Sequence, residues 1–316
     1  MADDLHGVSD LVSDAFDLAD YELQDVLTAV PLLAILPMVP SSNGTTHKWA
    51  KMTKLPVVGF RAENAGRDLD SADYTIITDT LKILDFSWEV DQAVANAWRK
   101  GKEAYIADQG LWALKAALKR FEIQVINGTL GIGSGAGFNG LRNLTTVDAI
   151  GDANVVNAAG TTAATGSSVW AIRVAENGVC GVFKGDGPTL ELGETVTDKR
   201  IVNPGTDNKT FPTWYTPGTA WVGFQEGSIY DVVRICNLTA DSGKGLTDLL
   251  LSQAIEKFPI GFGPTHFVMS RRSRGQLQRS RTTYNPTGEP APIPEEAYGI
   301  PIVCCDSQSD TEVLVT

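Results

Sequence analysis

Two long stretches of strand-forming sequence, from Thr46 to about Val58 and from Tyr74 to Val90, flank the charged segment FRAENAGRDLDSAD, which has Gly66 at its middle. The second stretch, YTIITDTLKILDFSWEV, is rich in the β-branched and aromatic residues that suit a pleated surface. Together they predict an extended hairpin with a charged tip. An isolated pair of strands is marginal in water, and a pair this long cannot bury itself within one subunit. Something outside the subunit is expected to cover it.

The rest of the chain reads as elements around that hairpin. Residues 1–19 carry Asp at positions 3, 4, 10, 14 and 17, with Leu5, Val8, Leu11, Val12 and Phe16 as a narrow apolar stripe, the composition of a weakly docking arm. Asp20 is placed to N-cap a short helix in which Leu23, Val26, Leu27 and Val30 share a face before Pro31 ends it. The longest predicted helix runs from Asp91 to Asn127, its pattern interrupted by Gly101 and Gly110, and would be on the order of 50 Å at about 1.5 Å per residue. Its stripe is Leu111, Leu114, Leu118, Phe121 and Val125. Asn127-Gly128 supplies a left-handed stop, and glycine-rich, low-complexity sequence follows to about Ser167. Short runs such as VWAIRV, GVCGVF, AWVGF and SIYDVVRI then suggest a β meander over Val169 to Ile235. A helix over Leu246 to Phe258, a strand at HFVMS, a polar helix at SRRSRGQLQRSR and a last strand at YGIPIVCC complete the pattern.

Composition and motifs exclude several function classes. With 26 basic and 38 acidic residues the net charge is −12, which repels phosphate and disfavours sequence-reading of DNA. The acidic start lacks the basic region of a signal peptide, and no apolar run is long enough to span a bilayer. Cys180, Cys236, Cys304 and Cys305 show no metal spacing, so free thiols are expected, and His6, His47 and His266 form no local ligand motif. Gly131-x-Gly133-x-x-Ala136 fits a permissive dinucleotide fingerprint, but it follows a helix and opens low-complexity sequence, where a nucleotide site needs a preceding strand and a following helix. A turn is the expected role. The basic cluster Arg271, Arg272, Arg274, Arg279 and Arg281 is read as a solvated helix face meeting acidic neighbours, in preference to a nucleic-acid contact. No catalytic, cofactor-binding or metal site is expected.

Three stretches, in order, carry a family resemblance: LPVVGFRAENAG with TDTLKILDFSWEVDQ; FEIQVINGTLGIGSGAGFNGL; and THFVMSRRSRGQLQRSR followed by EAYGIPIVCCDS. They resemble, respectively, the extended loop and its return strand, the spine-helix end with its glutamate and glycine turn, and the closing strand, helix and final strand of tailed-bacteriophage major capsid proteins. The resemblance covers nearly the whole chain.

It implies an α+β, Hong Kong 97-like capsid fold. Residues 1–45 would be the N-terminal arm and 46–90 the extended loop with flanking strands. Residues 91–139 and 298–316 would form a discontinuous peripheral domain with the spine helix, and 140–297 the axial domain, carrying a β-rich insertion at 168–237. The implied function is a structural protein that self-assembles, as pentamers and hexamers, into an icosahedral head shell enclosing double-stranded DNA without sequence-specific binding. Portal, scaffolding and decoration proteins are the further partners, with no cofactor and no membrane. Assembly in the host cytoplasm and residence in the virion follow. At the loop tip Arg61, Glu63, Arg67, Asp68 and Asp70 are expected to make inter-subunit ion pairs. Two other readings share parts of this sequence: an encapsulin-like nanocompartment of the same fold, and a nucleotide-dependent enzyme using the glycine run.

Overall fold

The computed structural model describes residues 25–185, 190–202, 208–285 and 289–316. The acidic stretch 1–19 and the start of the expected helix, residues 20–24, lie outside the described residues; residues 25–28 are helical. Helix α1 (Pro31–Ile35) carries Pro31 in its first turn. The helical segment at 25–28 ends before Pro31, as expected, and Pro31 then opens a second short helix, because its fixed φ and missing N–H cost nothing at that position. Strand β1 (Met38–Pro40) follows, then β2 (Thr46–Lys54) and β3 (Asp73–Thr80).

Strands β2 and β3 pair antiparallel from Thr46↔Thr80 to Lys54↔Asp73 and form a two-stranded sheet of their own. The hairpin is shorter than the sequence suggests. Leu81, which is buried, marks the point where the return strand leaves its partner. Beyond it β4 (Lys82–Asp85) and β5 (Trp88–Asp91) join other sheets.

The predicted helix is two helices, α2 (Gln92–Ala97) and the spine α3 (Lys102–Asn127), parted at the first of the two glycines that interrupt its pattern. Gly101, at φ +95°, takes a backbone conformation open to glycine and breaks the run. The 26-residue spine is therefore about 39 Å long. Its interior Gly110 lets the Trp88 ring lie against the helix, since a Cβ there would sit 2.8 Å from the indole.

The β-rich half supplies β6 (Val155–Asn157), β7 (Ser167–Ile172), β8 (Cys180–Phe183), β9 (Leu190–Leu192), β10 (Val196–Val202), β11 (Lys209–Thr216), β12 (Gly218–Gln225) and β13 (Val232–Leu238). Helix α4 (Asp248–Glu256), β14 (His266–Met269), α5 (Arg271–Thr283), β15 (Glu296–Ala297) and β16 (Ile300–Cys304) close the chain. Thr247 and Ser270 cap α4 and α5 by accepting from Leu250 N and Ser273 N.

These strands do not form one meander. A six-stranded sheet runs β15-β16-β14-β7-β13-β6, while β8 and β12 lie between β1 and β4 in a second sheet, with β9 also on β12. Strands β10, β11 and β5 make a third. Alternation along β7 splits the core. Trp170 and Ile172 pack into one cluster with the spine residues Leu114, Leu118, Phe121 and Val125. Val169 and Ala171 face Leu251, Ala254 and Leu277 of α4 and α5 on the other side.

Candidate assembly interface

Three buried polar residues, Glu122, Gln124 and Asn127, end the otherwise apolar spine. Burial of an unpartnered polar group costs more than a hydrogen bond returns, and each of the three is fully engaged. Glu122 Oε1 accepts from Leu32 N at 2.8 Å, and Oε2 accepts from Ser307 Oγ. Burial nevertheless holds its carboxyl above the usual carboxylate range. Gln124 Nε2 donates to Gly128 O (2.8 Å) and Phe138 O (2.7 Å), and its Oε1 accepts from Ser134 N (3.0 Å). Asn127 Nδ2 donates to Ser307 O at 3.2 Å and its Oδ1 accepts from Arg142 at 3.1 Å.

The glycine run is thus a turn wrapped on the spine end. A Cβ on Gly133 would lie 1.7 Å from Gly128 O, and one on Gly140 would lie 2.4 Å from Gln124 O. These close backbone approaches leave no room for a side chain at either position.

A second buried network ties down the C-terminal residues. Arg234 donates to Ser168 Oγ (2.9 Å), Val147 O (3.2 Å) and Glu312 Oε2 (3.0 Å), and its guanidinium lies 5.1 Å over the Trp170 ring. Gln308 bridges Trp170 Nε1 and Glu312. Arg142 stands 3.8 Å from the same carboxylate, and burial lowers its pKa.

Among the described residues the hairpin is held to the rest of the subunit along β2, short of its tip. His47 Nε2 meets Gln225 Oε1 at 2.6 Å, Trp49 Nε1 donates to Glu226 O at 2.8 Å, and Met52 N donates to Gly227 O at 3.2 Å. Lys51 pairs with the buried Glu226 carboxylate, whose pKa burial raises despite the ammonium beside it. Asp231, behind it, binds Arg173 at 2.6 Å.

Past Lys54 the chain leaves the body. Phe60 is fully exposed, Leu69 is 93% exposed and Val58 80%, a density of bare apolar surface that marks an interaction site. Of the five tip residues singled out in the sequence, three shape the tip itself. Arg67 donates to Val57 O (2.8 Å), Gly59 O (3.1 Å) and Asp68 O (3.1 Å), and Arg61 donates to Ala65 O (3.1 Å). Asp70 pairs with Lys54 at 2.9 Å, and hydrogen bonds from Val57 N and Lys54 lower its pKa. The carboxylates of Glu63 and Asp68 have no ion-pair partner among the described residues.

The basic helix α5 meets its acids within the chain: Arg271 with Asp306 (2.6 Å), Arg272 with Asp310 (3.4 Å) and Arg281 with Asp248 (2.7 Å). All four cysteines are free. Among the described residues no helix is long and apolar enough to cross a membrane.

The model of the family described as major capsid protein GP7 matches residues 23–316. No curated protein matches the sequence. Among solved structures, a chain of bacteriophage Epsilon15 is 16% identical with a TM-score of 0.63, over 88% of this chain and 87% of that one. A chain from the capsid of bacteriophage JBD30 decorated with minor capsid protein trimers is 11% identical with a TM-score of 0.50, over 87% of this chain and 89% of that one. The shared fold is the Hong Kong 97-like capsid fold.

Proposed function

The chain belongs to the major capsid protein GP7 family and is a structural protein of a capsid shell; on that premise we propose that its extended hairpin lies on a neighbouring copy and that this contact closes the shell. The observation that carries the reading is the tip, whose apolar residues nothing among the described residues covers. A knob that projects from one end of a subunit makes a head-to-tail contact, and such contacts close into rings.

The tip's roles divide. Arg61 and Arg67 hold its shape, Asp70 stiffens its root through Lys54, and Glu63 and Asp68 reach the neighbour. In the proposed division, residues 1–45 are the arm. The hairpin springs from a peripheral unit of spine, β1, β4, β5 and the 180–225 strands that pair with them. The six-stranded sheet with α4 and α5 forms the axial unit. Strand pairing supports this division over one that assigns 168–237 wholly to the axial side.

The shell encloses double-stranded DNA, which the net charge of −12 keeps from adhering. It is assembled in the host cytoplasm with portal, scaffolding and decoration proteins, and the subunit does no catalysis.

The test is Glu63→Lys with Asp68→Lys, since neither carboxylate supports the tip's own fold. Single exposed pairs contribute about 0–1 kcal/mol, but the repulsion recurs at every copy of the interface. Circular dichroism unchanged, with shells lost in negative-stain micrographs, is the expected result. Shells of normal yield would overturn the assignment.

A further inference from the structure

We infer that the hairpin tip of one copy seats on the elbow between α2 and α3 of the next, with Phe60 against Trp98 and with Glu63 and Asp68 facing Arg99 and Lys100. The inference rests on the reading of the hairpin as a contact between copies, and it names where that contact lands.

The elbow is a tight, uncovered turn. Helix α2 ends at Trp98, whose N–H donates to Ala95 O at 3.2 Å, and Gly101 N donates in turn to Trp98 O at 3.0 Å. Gly101, at φ +95°, leads into α3 and has nothing within 4 Å of where a side chain would stand. Trp98 is held beside Tyr105, their ring centroids 5.2 Å apart. It is nevertheless 44% exposed, and Val94, about one helical turn before it, is 50% exposed. A half-bare tryptophan already fixed by a neighbouring ring, with an arginine next to it, is the residue type that dominates protein contacts, since it covers a large area for little loss of freedom.

Charge selects the occupant. Between Gln92 and Ala107 stand three cations and one acid, Glu103. Lys102 lies 5.0 Å over the Trp214 ring. Arg99 and Lys100 are exposed and have no ion-pair partner among the described residues. On the tip, Arg61 and Arg67 are spent on main-chain carbonyls and Asp70 on Lys54, which leaves Glu63 and Asp68 to seek cations. Each surface thus joins bare apolar side chains to two unpaired charges, and the charges are opposite in sign. The subunit's own tip does not supply the match, because Phe60 and Leu69 stand uncovered among the described residues. Helix α5 also carries two cations without an ion-pair partner among the described residues, Arg274 and Arg279. Five residues apart, they point about 140° from each other around the helix, whereas Arg99 and Lys100 are adjacent in one turn.

A charge swap read by electron microscopy tests the landing site. Glu63→Lys with Asp68→Lys, and separately Arg99→Glu with Lys100→Glu, should each lower shell yield at least about tenfold through like-charge repulsion, with circular dichroism of the subunit unchanged. All four changes in one chain should bring shells back. The reversed tip combined with Arg274→Glu and Arg279→Glu should not. A reversed tip that loses shells and is not rescued by the elbow leaves the hairpin contact standing and overturns this landing site; a reversed tip that assembles normally overturns both. A second measurement leaves the elbow untouched: a benzoylphenylalanine photo-crosslinker replaces Phe60 in shells assembled from mixed isotopically heavy and light chains. Links from position 60 to Val94 or Trp98 that join heavy to light copies are expected. Links that fall elsewhere, or that stay within one copy, refute the site.

Discussion

Replacing Lys51 with Met should loosen the hairpin without unfolding the body. In the closed hairpin the Lys51 and Glu226 side chains are 12% and 4% exposed, and the second carboxylate oxygen of Glu226 has no hydrogen-bond donor among the described residues. Removing one partner of a buried pair typically costs about 3–5 kcal/mol. When the hairpin lifts, Glu226 regains water in variant and wild type alike, so the cost falls on the closed state. At about 1.4 kcal/mol per decade, amide protection across β2 and β3 should drop roughly 10²- to 10⁴-fold. The loss should depend on pH. Burial raises the Glu226 pKa, so the closed form binds the proton more tightly than the open one. Closing is therefore favoured as pH falls through the raised pKa towards the ordinary carboxylate range, and disfavoured above it. Loss of Lys51 raises that pKa further, so the protection deficit should be larger at pH 7.5 than at pH 5 after correction for intrinsic exchange. Adding Glu226→Gln should recover most of the protection, since a neutral pair leaves no buried charge. Hydrogen exchange read by mass spectrometry measures all three variants. Unchanged protection in Lys51→Met, or a deficit indifferent to pH, would refute the latch.

Other substitutions probe the body. Glu312→Ala leaves Arg234 and Arg142 facing each other without their shared carboxylate, and should cost about 3–5 kcal/mol in denaturant unfolding of the subunit; Glu312→Gln, which keeps hydrogen-bonding capacity, should cost less. Gly140→Ala would place a Cβ 2.4 Å from Gln124 O and 2.5 Å from Val125 O, backbone atoms that cannot step aside, so a loss of at least about 1–3 kcal/mol is expected in the same assay. Removal of residues 1–19 should leave circular dichroism of the subunit unchanged and lower the yield or heat resistance of its shells in electron micrographs.

The spine stripe was legible because Leu114, Leu118, Phe121 and Val125 repeat at helical spacing and all reach the core. Gly101 and Gly110 both showed as interruptions of the helical pattern, but which of them breaks the helix was not legible, because Arg99, Lys100 and Lys102 are good helix formers and a positive φ leaves no trace in composition. The strands β7, β8, β12 and β13 read as similar apolar runs; period tells which face is buried but not which strand is the neighbour, so their division between two sheets was hidden. The glycine turn was legible from Asn127-Gly128. The roles of Glu122, Gln124 and Asn127 were not, although polar residues at 122, 124 and 127 interrupting an apolar helix end are the signal a closer reading would use. At the hairpin, the charged tip announced itself locally. Its anchor did not: Lys51 and Glu226 are 175 positions apart, and no local pattern links them. Nor did composition separate Arg67, which braces its own tip, from Glu63 and Asp68, which do not.

The central claim is that a subunit with an uncovered hairpin completes itself only beside its neighbours. Negative-stain electron microscopy of the purified chain, with light scattering on the same sample, tests it most directly. Rings of five or six subunits or closed shells are the predicted result; a compact, stable monomer at every protein and salt concentration would contradict it.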